Sequence, residues 1–303
     1  MQKIIKYKNF LWYRFKRPTQ KDFQEIAENF HFDDLDIEDC KKVIQRPKLD
    51  IYKDYFFMVL RVPVYDQELR CLSATEIDIF FSRNFLITIT QKHLKELEKF
   101  FEELKKDRLL QEKLFRNRGI FFYQFLEKIY LRNFRILDHI AEDLEEIEKG
   151  IFLQGKQREM VQEISIIQRN IINFRRIMRA HDVVLNKIIK IKAQFLDITK
   201  YYHKKHQANL LEHLNNSWDI LESHKETIKA LQDTNESLIS WRMNRILLVL
   251  TIVAVSALPV SFFNMNLHFI PFYENPLTFW YLVGLTFFLG FIIFSWLKKK
   301  NVL

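Results

Sequence analysis

Two long apolar runs lie close together late in the chain. Residues 246–263 and 277–297 contain no Asp, Glu, Lys or Arg, and the runs are 18 and 21 residues long. An α-helix rises about 1.5 Å per residue, so the runs would reach roughly 27 and 31 Å, close to the thickness of the hydrocarbon layer of a bilayer. The pattern predicts two transmembrane helices, with two buried helices of a soluble core as the alternative.

The first part of the chain has a mixed pattern of short segments. Ile51–Pro63 and Thr75–Thr90 are rich in β-branched and aromatic residues that partly alternate with polar ones, which is typical of strands. Thr19–Phe30 has the pattern of a helix that begins at a threonine. We therefore expect an α+β domain over residues 1–118.

Helix-breaking residues are missing from the middle of the chain. Proline is absent from Val64–Leu258 and glycine from Lys156–Leu258. Apolar residues follow a three-four spacing at Leu211, Leu214, Trp218, Leu221 and Ile228. We expect a helical stalk over residues 119–245, whose last helix continues into the first apolar run. His203–Phe263 would then form about 90 Å of nearly continuous helix.

The positive charges predict the orientation in the membrane. The loop 264–276 has no Lys or Arg and one Glu. Basic residues flank the two runs on their other sides, at Arg242, Arg245, Lys298, Lys299 and Lys300. Positive residues favour the cytoplasmic side, so we expect a multi-pass protein of the inner (plasma) membrane with both termini cytoplasmic. Residues 264–276 would be an extracytoplasmic loop and 298–303 a basic cytoplasmic tail.

The net charge of +9 suits a domain that lies near an anionic membrane surface, and no nucleic-acid partner is expected. No nucleophile with a base, glycine-rich phosphate loop or metal-ligand set stands out, so we do not expect an enzyme. Four histidines lie close in sequence, at His203, His206, His213 and His224. They form either a site for Zn²⁺, Co²⁺ or Ni²⁺ or, with Lys204 and Lys205 between them, a solvated helix face.

Several segments, in order and at compatible spacings, resemble the CorA magnesium-channel family. They are Ile37-Glu38-Asp39, Gln45-Arg46-Pro47-Lys48, Asn84-Phe85-Leu86-Ile87-Thr88, Glu212-His213 with Asp219, Glu222 and Ser223, Met243-Asn244 followed by Leu250-Thr251 and Pro259, and the ending Trp296–Leu303. The resemblance implies an α+β cytoplasmic domain followed by long stalk helices and two C-terminal transmembrane helices, assembled as a funnel-shaped homopentamer in membrane lipid.

The resemblance also implies a channel for divalent cations, Mg²⁺ first, that is passive and driven by the membrane potential. The first transmembrane helix, 246–263, would line the pore and the second, 277–297, would face lipid. The pore-lining positions would be Asn244, Leu247, Leu250, Leu258 and Ser261. Narrow rings of leucine can act as constrictions that gate by dewetting. The alternative is that these leucines only pack against lipid or other helices.

The family signature Gly-Met-Asn corresponds here to Asn264-Met265-Asn266. Mg²⁺ releases its water reluctantly, so a ring of five Asn266 side-chain oxygens would select the hydrated ion. Asn tolerates positive φ better than other residues with a side chain, but it does not allow the close backbone approach that Gly does. The segment between Pro259 and the triplet is also shorter than in the family. The triplet could instead be a helix end with Asn caps.

The family holds regulatory divalent ions on carboxylates between neighbouring cytoplasmic domains. Glu38, Asp39 and Asp233 match such positions, whereas Asn209 stands where a partner carboxylate belongs. A hard-cation site depends on its carboxylate count, so regulation by Mg²⁺ would be altered or absent. The alternative is that Glu38, Asp39 and Asp233 are solvated surface carboxylates. Lys298, Lys299 and Lys300 would form a cytoplasmic basic ring.

We therefore expect a Mg²⁺ channel or transporter, with no cofactor, and with Mg²⁺ as transported ion and regulatory ligand. One alternative is a transporter of another ion such as Zn²⁺, Co²⁺ or Ni²⁺, favoured by the altered triplet and the histidines. The other is a CorA-like membrane protein that does not conduct, favoured by the shortened helix and the missing glycine.

Overall fold

The structure is a computed structural model that describes most of the chain. The described residues are 2–42, 46–153, 155–188, 190–191, 196, 198–263 and 277–299. The chain divides into two compact units. The first unit is Met1–Lys149 with Gln162–Ala230, and the second is Gly150–Val161 with Leu231–Leu303.

The first unit contains a six-stranded sheet with the strand order β1-β2-β6-β5-β4-β3. The strands are β1 Gln2–Tyr7, β2 Phe10–Lys16, β3 Lys48–Ile51, β4 Tyr55–Asp66, β5 Cys71–Ser82 and β6 Phe85–Thr90. Only β2 and β6 pair in parallel; the other neighbours are antiparallel. The α+β prediction for the soluble part is confirmed.

Both strand regions predicted from the sequence contain strands, and each contains a turn as well. In the first, β3 ends at Ile51 and β4 begins at Tyr55, with Tyr52 N donating to Tyr55 O at 2.9 Å. In the second, β5 and β6 form a hairpin. Strands β1 and β2 were not predicted, because lysines interrupt the apolar pattern of residues 2–16.

Nine helices are present in the described ranges. They are α1 Gln20–Phe30, α2 Asp34–Lys41, α3 Lys95–Lys106, α4 Arg108–Phe115, α5 Arg118–Phe152, α6 Gln157–Met178, α7 His181–Ile188, α8 Lys200–Phe263 and α9 Thr278–Lys299. The predicted threonine start of α1 is confirmed as a capping box. Asp22 N donates to Thr19 Oγ1, and Thr19 N donates to Asp22 Oδ2 at 2.7 Å.

Helix α8 is 64 residues long and contains the whole segment predicted as one continuous helix. Such a helix measures about 96 Å. Leu214, Leu221 and Ile228 are at most 2% exposed, as the three-four spacing predicts, whereas Leu211 and Trp218 are only half-buried. The three buried residues therefore pack one face of α8 into the first unit, and Leu211 and Trp218 lie at the margin of that face.

Helices cover both faces of the sheet. On one face, α1 and α2 contribute Phe23, Ile26 and Ile37 to a core with Phe57 and Phe80. On the other face, Trp12 of β2 packs edge-on against Phe101 of α3 and against Phe121 and Phe125 of α5, at centroid distances of 4.9–5.7 Å. Edge-to-face pairs of this kind add to the free energy gained from burial alone.

Two asparagines of α6 bind the backbone at the start of β5. Leu72 N donates to Asn170 Oδ1 at 2.9 Å, and Asn170 Nδ2 donates to Arg70 O at 3.2 Å. Asn173 Nδ2 donates to Leu72 O at 3.1 Å. The Arg70 side chain makes two hydrogen bonds to Glu163, at 3.0 and 2.7 Å. These polar contacts fix α6 against the β4–β5 hairpin.

Asp78 lies in the interior of the sheet on β5 and is 5% exposed. Its pKa is raised to about 8, first by burial and then by the charge of Glu76. Asp39 also raises this pKa, while a hydrogen bond with Cys40 and the charge of Lys48 lower it. Asp78 is therefore largely protonated in the folded protein at neutral pH.

We predict that Asn170→Leu destabilises the first unit by about 2 kcal/mol, because it leaves the buried Leu72 N–H without an acceptor. The measurement is the thermal midpoint of the full chain in detergent. Asn173→Ala, at a half-buried site, is the control and should cost less than half as much. Equal losses in the two variants would contradict the role assigned to Asn170.

We also predict that the folded state loses stability as pH rises from 6 to 9. The carboxyl of Asp78 binds its proton more tightly when folded, so unfolding releases the proton and becomes more favourable as pH increases. The change should level off above the folded pKa of about 8. Asp78→Asn should flatten the profile of thermal midpoint against pH, and Asp54→Asn, at an exposed carboxylate, should leave it unchanged. A wild-type slope retained in Asp78→Asn would contradict the assignment.

Candidate ion path and carboxylate cluster

The apolar part of α8 is not covered by the rest of this chain. Among the described residues, α8 is the one helix long and apolar enough to cross a membrane, and none of its apolar window is buried. In α9 the described apolar stretch, Val283–Ile293, is shorter. The first predicted span is therefore present as an exposed apolar helix, and a second span stays a prediction.

Three of the predicted pore-lining residues are exposed on α8. Asn244 is exposed, Leu247 is 52% exposed and Leu250 is 58% exposed. They are three residues apart, so they share one side of the helix. An exposed apolar stripe of this kind needs lipid or another helix against it. Leu258 and Ser261 belong to the same helix, and their side chains lie outside the described part of the chain.

The other predicted residues of the ion path lie outside the described residues or at their limit. Asn264, Met265 and Asn266 lie outside them. Lys298 and Lys299 end α9, and Lys300 lies beyond the described part. The selectivity triplet and the basic ring therefore stay predictions.

Polar groups at the border of the apolar segment are satisfied within the second unit. Thr251 Oγ1 donates to Leu247 O at 2.8 Å, which satisfies this hydroxyl within the apolar helix. The guanidinium of Arg245 lies 5.6 Å from the centre of the Trp241 ring. Arginine and tryptophan together are typical of the membrane–water boundary.

Gln157 connects the two chain segments of the second unit. Its Nε2 donates to Ile151 O at 2.7 Å and to Leu153 O at 3.0 Å. Its Oε1 accepts from Arg242 Nη1 at 2.7 Å, and its backbone O accepts from Asn235 Nδ2 at 3.0 Å. One buried glutamine therefore holds the end of α5 and the start of α6 against α8, just before the apolar segment begins. No pattern in the sequence indicates this role.

The predicted regulatory carboxylates occupy different environments. Glu38 is exposed on α2, and Asp39, beside it, is half-buried. Asp233 is exposed on α8 and belongs to the second unit. Their role as a regulatory cation site stays a prediction.

Asp39 is part of a carboxylate cluster around Lys48. Lys48 Nζ lies 2.8 Å from Asp39 Oδ2, 2.7 Å from Asp50 Oδ2 and 3.6 Å from Asp36 Oδ1. Lys42 Nζ approaches the other oxygen of Asp39 at 3.0 Å. The cluster joins α2 to β3. Sequence reasoning named only Asp39, although Lys48 is the last residue of the Gln-Arg-Pro-Lys segment that the resemblance had singled out.

The charges in this cluster support one another. Burial raises the pKa of Asp39, but hydrogen bonds from Lys48 and Lys42 outweigh burial and lower it overall. Burial lowers the pKa of Lys48, but its bonds to Asp39 and Asp50 raise it well above the usual value for lysine. Asp36 shows the opposite balance, because burial raises its pKa more than the bonds from Tyr52 and Tyr55 lower it. A cation approaching Asp39 therefore meets a carboxylate that two lysines already neutralise.

The four histidines have separate protein contacts along α8. His203 Nδ1 forms a hydrogen bond with the Tyr123 hydroxyl at 2.5 Å, and the ring of His206 stacks on Tyr123 with a centroid distance of 5.2 Å. His213 Nε2 lies 3.4 Å from Glu127 Oε1. His224 Nε2 forms a hydrogen bond with Leu137 O at 3.1 Å. In the described ranges no group of three or more His, Cys, Asp or Glu could hold a metal ion. Asn209 Nδ2 also donates to Glu127 Oε1, at 3.3 Å. These contacts favour a structural role for the histidines.

Comparison with known proteins gives the family. The model of the family "CorA-like Mg2+ transporter protein" matches residues 7–299. The cobalt/magnesium transport protein CorA of Methanocaldococcus jannaschii is 23% identical over 281 residues, covering 91% of this chain and 86% of that protein. The putative metal ion transporter YfjQ of Bacillus subtilis is 27% identical over 266 residues, covering 86% and 79%.

Solved structures share the fold. The complete structure of the M. jannaschii CorA magnesium transporter has a TM-score of 0.78 at 20% identity, covering 99% of this chain and 94% of that one. The cytoplasmic domain of ZntB from Vibrio parahaemolyticus has a TM-score of 0.60 at 14% identity, covering 77% and 89%. The family model spans both units and the long apolar helix, so the resemblance seen in the sequence is confirmed. The chain belongs to the CorA-like Mg²⁺ transporter family, whose members are membrane proteins that transport divalent metal ions.

Proposed function

We propose that this protein is a passive Mg²⁺ channel of the inner (plasma) membrane. The observation that carries the proposal is the match of the Mg²⁺ transporter family model to residues 7–299, which includes the exposed apolar helix α8. The relatives named above are cobalt/magnesium and metal ion transporters, so a divalent cation is the cargo that they support. Both apolar runs would span the bilayer, with both termini in the cytoplasm.

Self-association follows from the exposed side of α8. A single helix cannot enclose an aqueous path, so Asn244, Leu247 and Leu250 need the same face of other copies opposite them. The family resemblance gives five copies. The leucines would then form apolar rings that hold back water when narrow, and Asn244 would place an amide ring at their cytoplasmic end.

Selection of Mg²⁺ would take place at the opposite end of the pore. Neutral amide oxygens of Asn266 accept hydrogen bonds from the water shell of the ion without holding it as tightly as carboxylates would. The membrane potential would supply the driving force, which amounts to about 2.3 kcal/mol per elementary charge per 100 mV and twice that for a divalent cation. No cofactor or energy-coupled step is needed.

Cobalt transport is the second candidate function. It is favoured by the printed description of the M. jannaschii relative as a cobalt/magnesium transporter. The likeness to ZntB is a likeness of fold at 14% identity and adds nothing about the ion. Competition between Mg²⁺, Co²⁺ and Zn²⁺ in one flux assay separates these ions.

We predict that Asn266→Ala abolishes most Mg²⁺ influx, because it removes the acceptors of the proposed selectivity ring. The measurement is dye-reported Mg²⁺ entry into proteoliposomes under an inside-negative potential. The matched control is Asn216→Ala, which removes an exposed amide from the stalk part of α8 and should conduct like wild type. Absence of divalent flux in correctly assembled wild-type protein would contradict the channel and favour a non-conducting member.

We predict that Leu250→Ser increases Mg²⁺ influx several-fold, because a hydroxyl ring wets a constriction that leucine keeps dry. The same liposome assay measures it, with Val249→Ser as the control at an exposed position on the opposite side of α8. An unchanged rate in Leu250→Ser, with the variant assembled as wild type, would mean that Leu250 faces lipid or a neighbouring helix.

A further inference from the structure

A cleft of about 700 Å³ opens in the first unit, far in sequence from the ion path. It lies where the turn between β1 and β2 meets α4 and the start of α5. It is lined by Tyr7, Lys8, Asn9, Phe10, Leu109, Glu112, Lys113, Phe115, Arg116 and Arg118. Its volume is within the usual range for small-molecule sites, about 300–1,000 Å³.

The charge of the cleft is strongly positive. It is lined by four cations, Lys8, Lys113, Arg116 and Arg118, and by one carboxylate, that of Glu112. None of these four cations takes part in an ion pair between described residues. Helix α5 begins at Arg118, and Asn117 caps this start, with its Oδ1 accepting from Ile120 N at 3.0 Å.

Apolar side chains also line the cleft: Tyr7 is half-buried and Leu109 is exposed, whereas Phe10 and Phe115 are at most 4% exposed. The rings of Tyr7 and Phe115 lie 5.9 Å apart, and Phe10 and Phe115 lie 5.4 Å apart. Leu109 stands at the rim and is 79% exposed, one of the most exposed large apolar side chains of the described chain. A ligand that contacts both the cations and the apolar side chains therefore carries several negative charges at one end and a flat or apolar group at the other.

We propose that this cleft binds a nucleoside di- or triphosphate. Arg and Lys side chains bind phosphate oxygens through charge-assisted hydrogen bonds, and the two arginines can do so in a bidentate manner. The base would lie against Tyr7 and Leu109. Neither the family match nor the proposed ion path assigns a ligand to these residues.

The backbone at Lys8 has a positive φ, as it also has at Arg17, His31 and Arg70 outside the cleft. Lys8 has φ 49° at the first position of the two-residue turn between β1 and β2, where glycine is the usual residue. Its ammonium lies 5.4 Å from the centre of the Tyr7 ring, at the edge of the cleft. A lysine here adds a cation to the cleft at the cost of a less favourable turn.

The test is calorimetric titration of the full chain, in nanodiscs of zwitterionic lipid and in buffer free of divalent ions and chelators. The probes are ATP, ADP, AMP and inorganic tripolyphosphate. We expect ATP and ADP to bind, AMP to bind at least tenfold more weakly, and tripolyphosphate to bind more weakly than ATP because it lacks the base. Affinity should also fall as sodium chloride is raised, because the contacts are ionic.

Removing two cations tests the site directly. The double variant Lys113→Gln with Arg116→Gln should lower ADP affinity at least tenfold, since each lost charge-assisted contact is worth about a factor of ten. The matched control, Lys204→Gln with Lys205→Gln, removes the same charge from exposed positions on α8 and should bind like wild type. Equal affinity in the two double variants would overturn the proposal.

Two single variants keep the test valid if the double variant is unstable. Leu109→Glu changes an exposed rim residue and should weaken ADP binding by repulsion without affecting folding. Lys8→Gly should keep or raise the thermal midpoint, because glycine relieves the positive φ, and yet weaken binding. Absence of heat with all four probes would overturn the site, and tripolyphosphate binding as tightly as ATP would overturn the assignment to a nucleotide.

Discussion

Backbone N–H and C=O groups inside hydrocarbon must find partners within their own segment, and helix α8 meets this requirement by running unbroken for 64 residues. The last charge before its apolar part is Arg245, and the only polar side chain among the next eight residues is Thr251, which bonds the helix backbone. The same helix buries Leu214, Leu221 and Ile228 in the first unit. One element therefore passes from a buried face in the first unit to an uncovered apolar stretch without a break.

The two units achieve internal order by different means. The first unit relies on aromatic side chains packed on both faces of a sheet, and polar side chains supply partners to buried backbone groups, as at Asn170. In the second unit, Gln157 makes four hydrogen bonds, and the two with Asn235 and Arg242 join its two chain segments. A movement of α8 relative to the start of α6 would have to break the bonds that Gln157 makes with Asn235 and Arg242.

Sequence patterns predicted those parts of the fold that repeat along one segment. Helix α8 and the start of α1 follow from apolar spacing, the absence of Gly and Pro, and a local cap. Strands β1 and β2 were not predicted, because lysines occupy part of their apolar pattern. The carboxylate cluster around Lys48 was not predicted either, because α2 and β3 meet only in the folded chain. Only the spacing of the candidate pore follows from the sequence. Leu247 and Leu250 are exposed on α8, their place in a pore stays a prediction, and Asn264, Met265 and Asn266 lie outside the described residues.

Charge sets a limit on how the first unit can sense cations. Lys48 carries a pKa far above neutrality, so it stays charged at every physiological pH, and it holds Asp39 together with Lys42. A divalent ion binding at Asp39 must displace an ammonium group, and its affinity then depends on ionic strength and not on proton binding. Asp78 behaves in the opposite way, because its pKa of about 8 makes its charge depend on pH. Asp39 and Asp78 both lie close to Cys40. Cation binding at Asp39, which depends on ionic strength, and proton binding at Asp78, which depends on pH, would therefore act on the same end of α2.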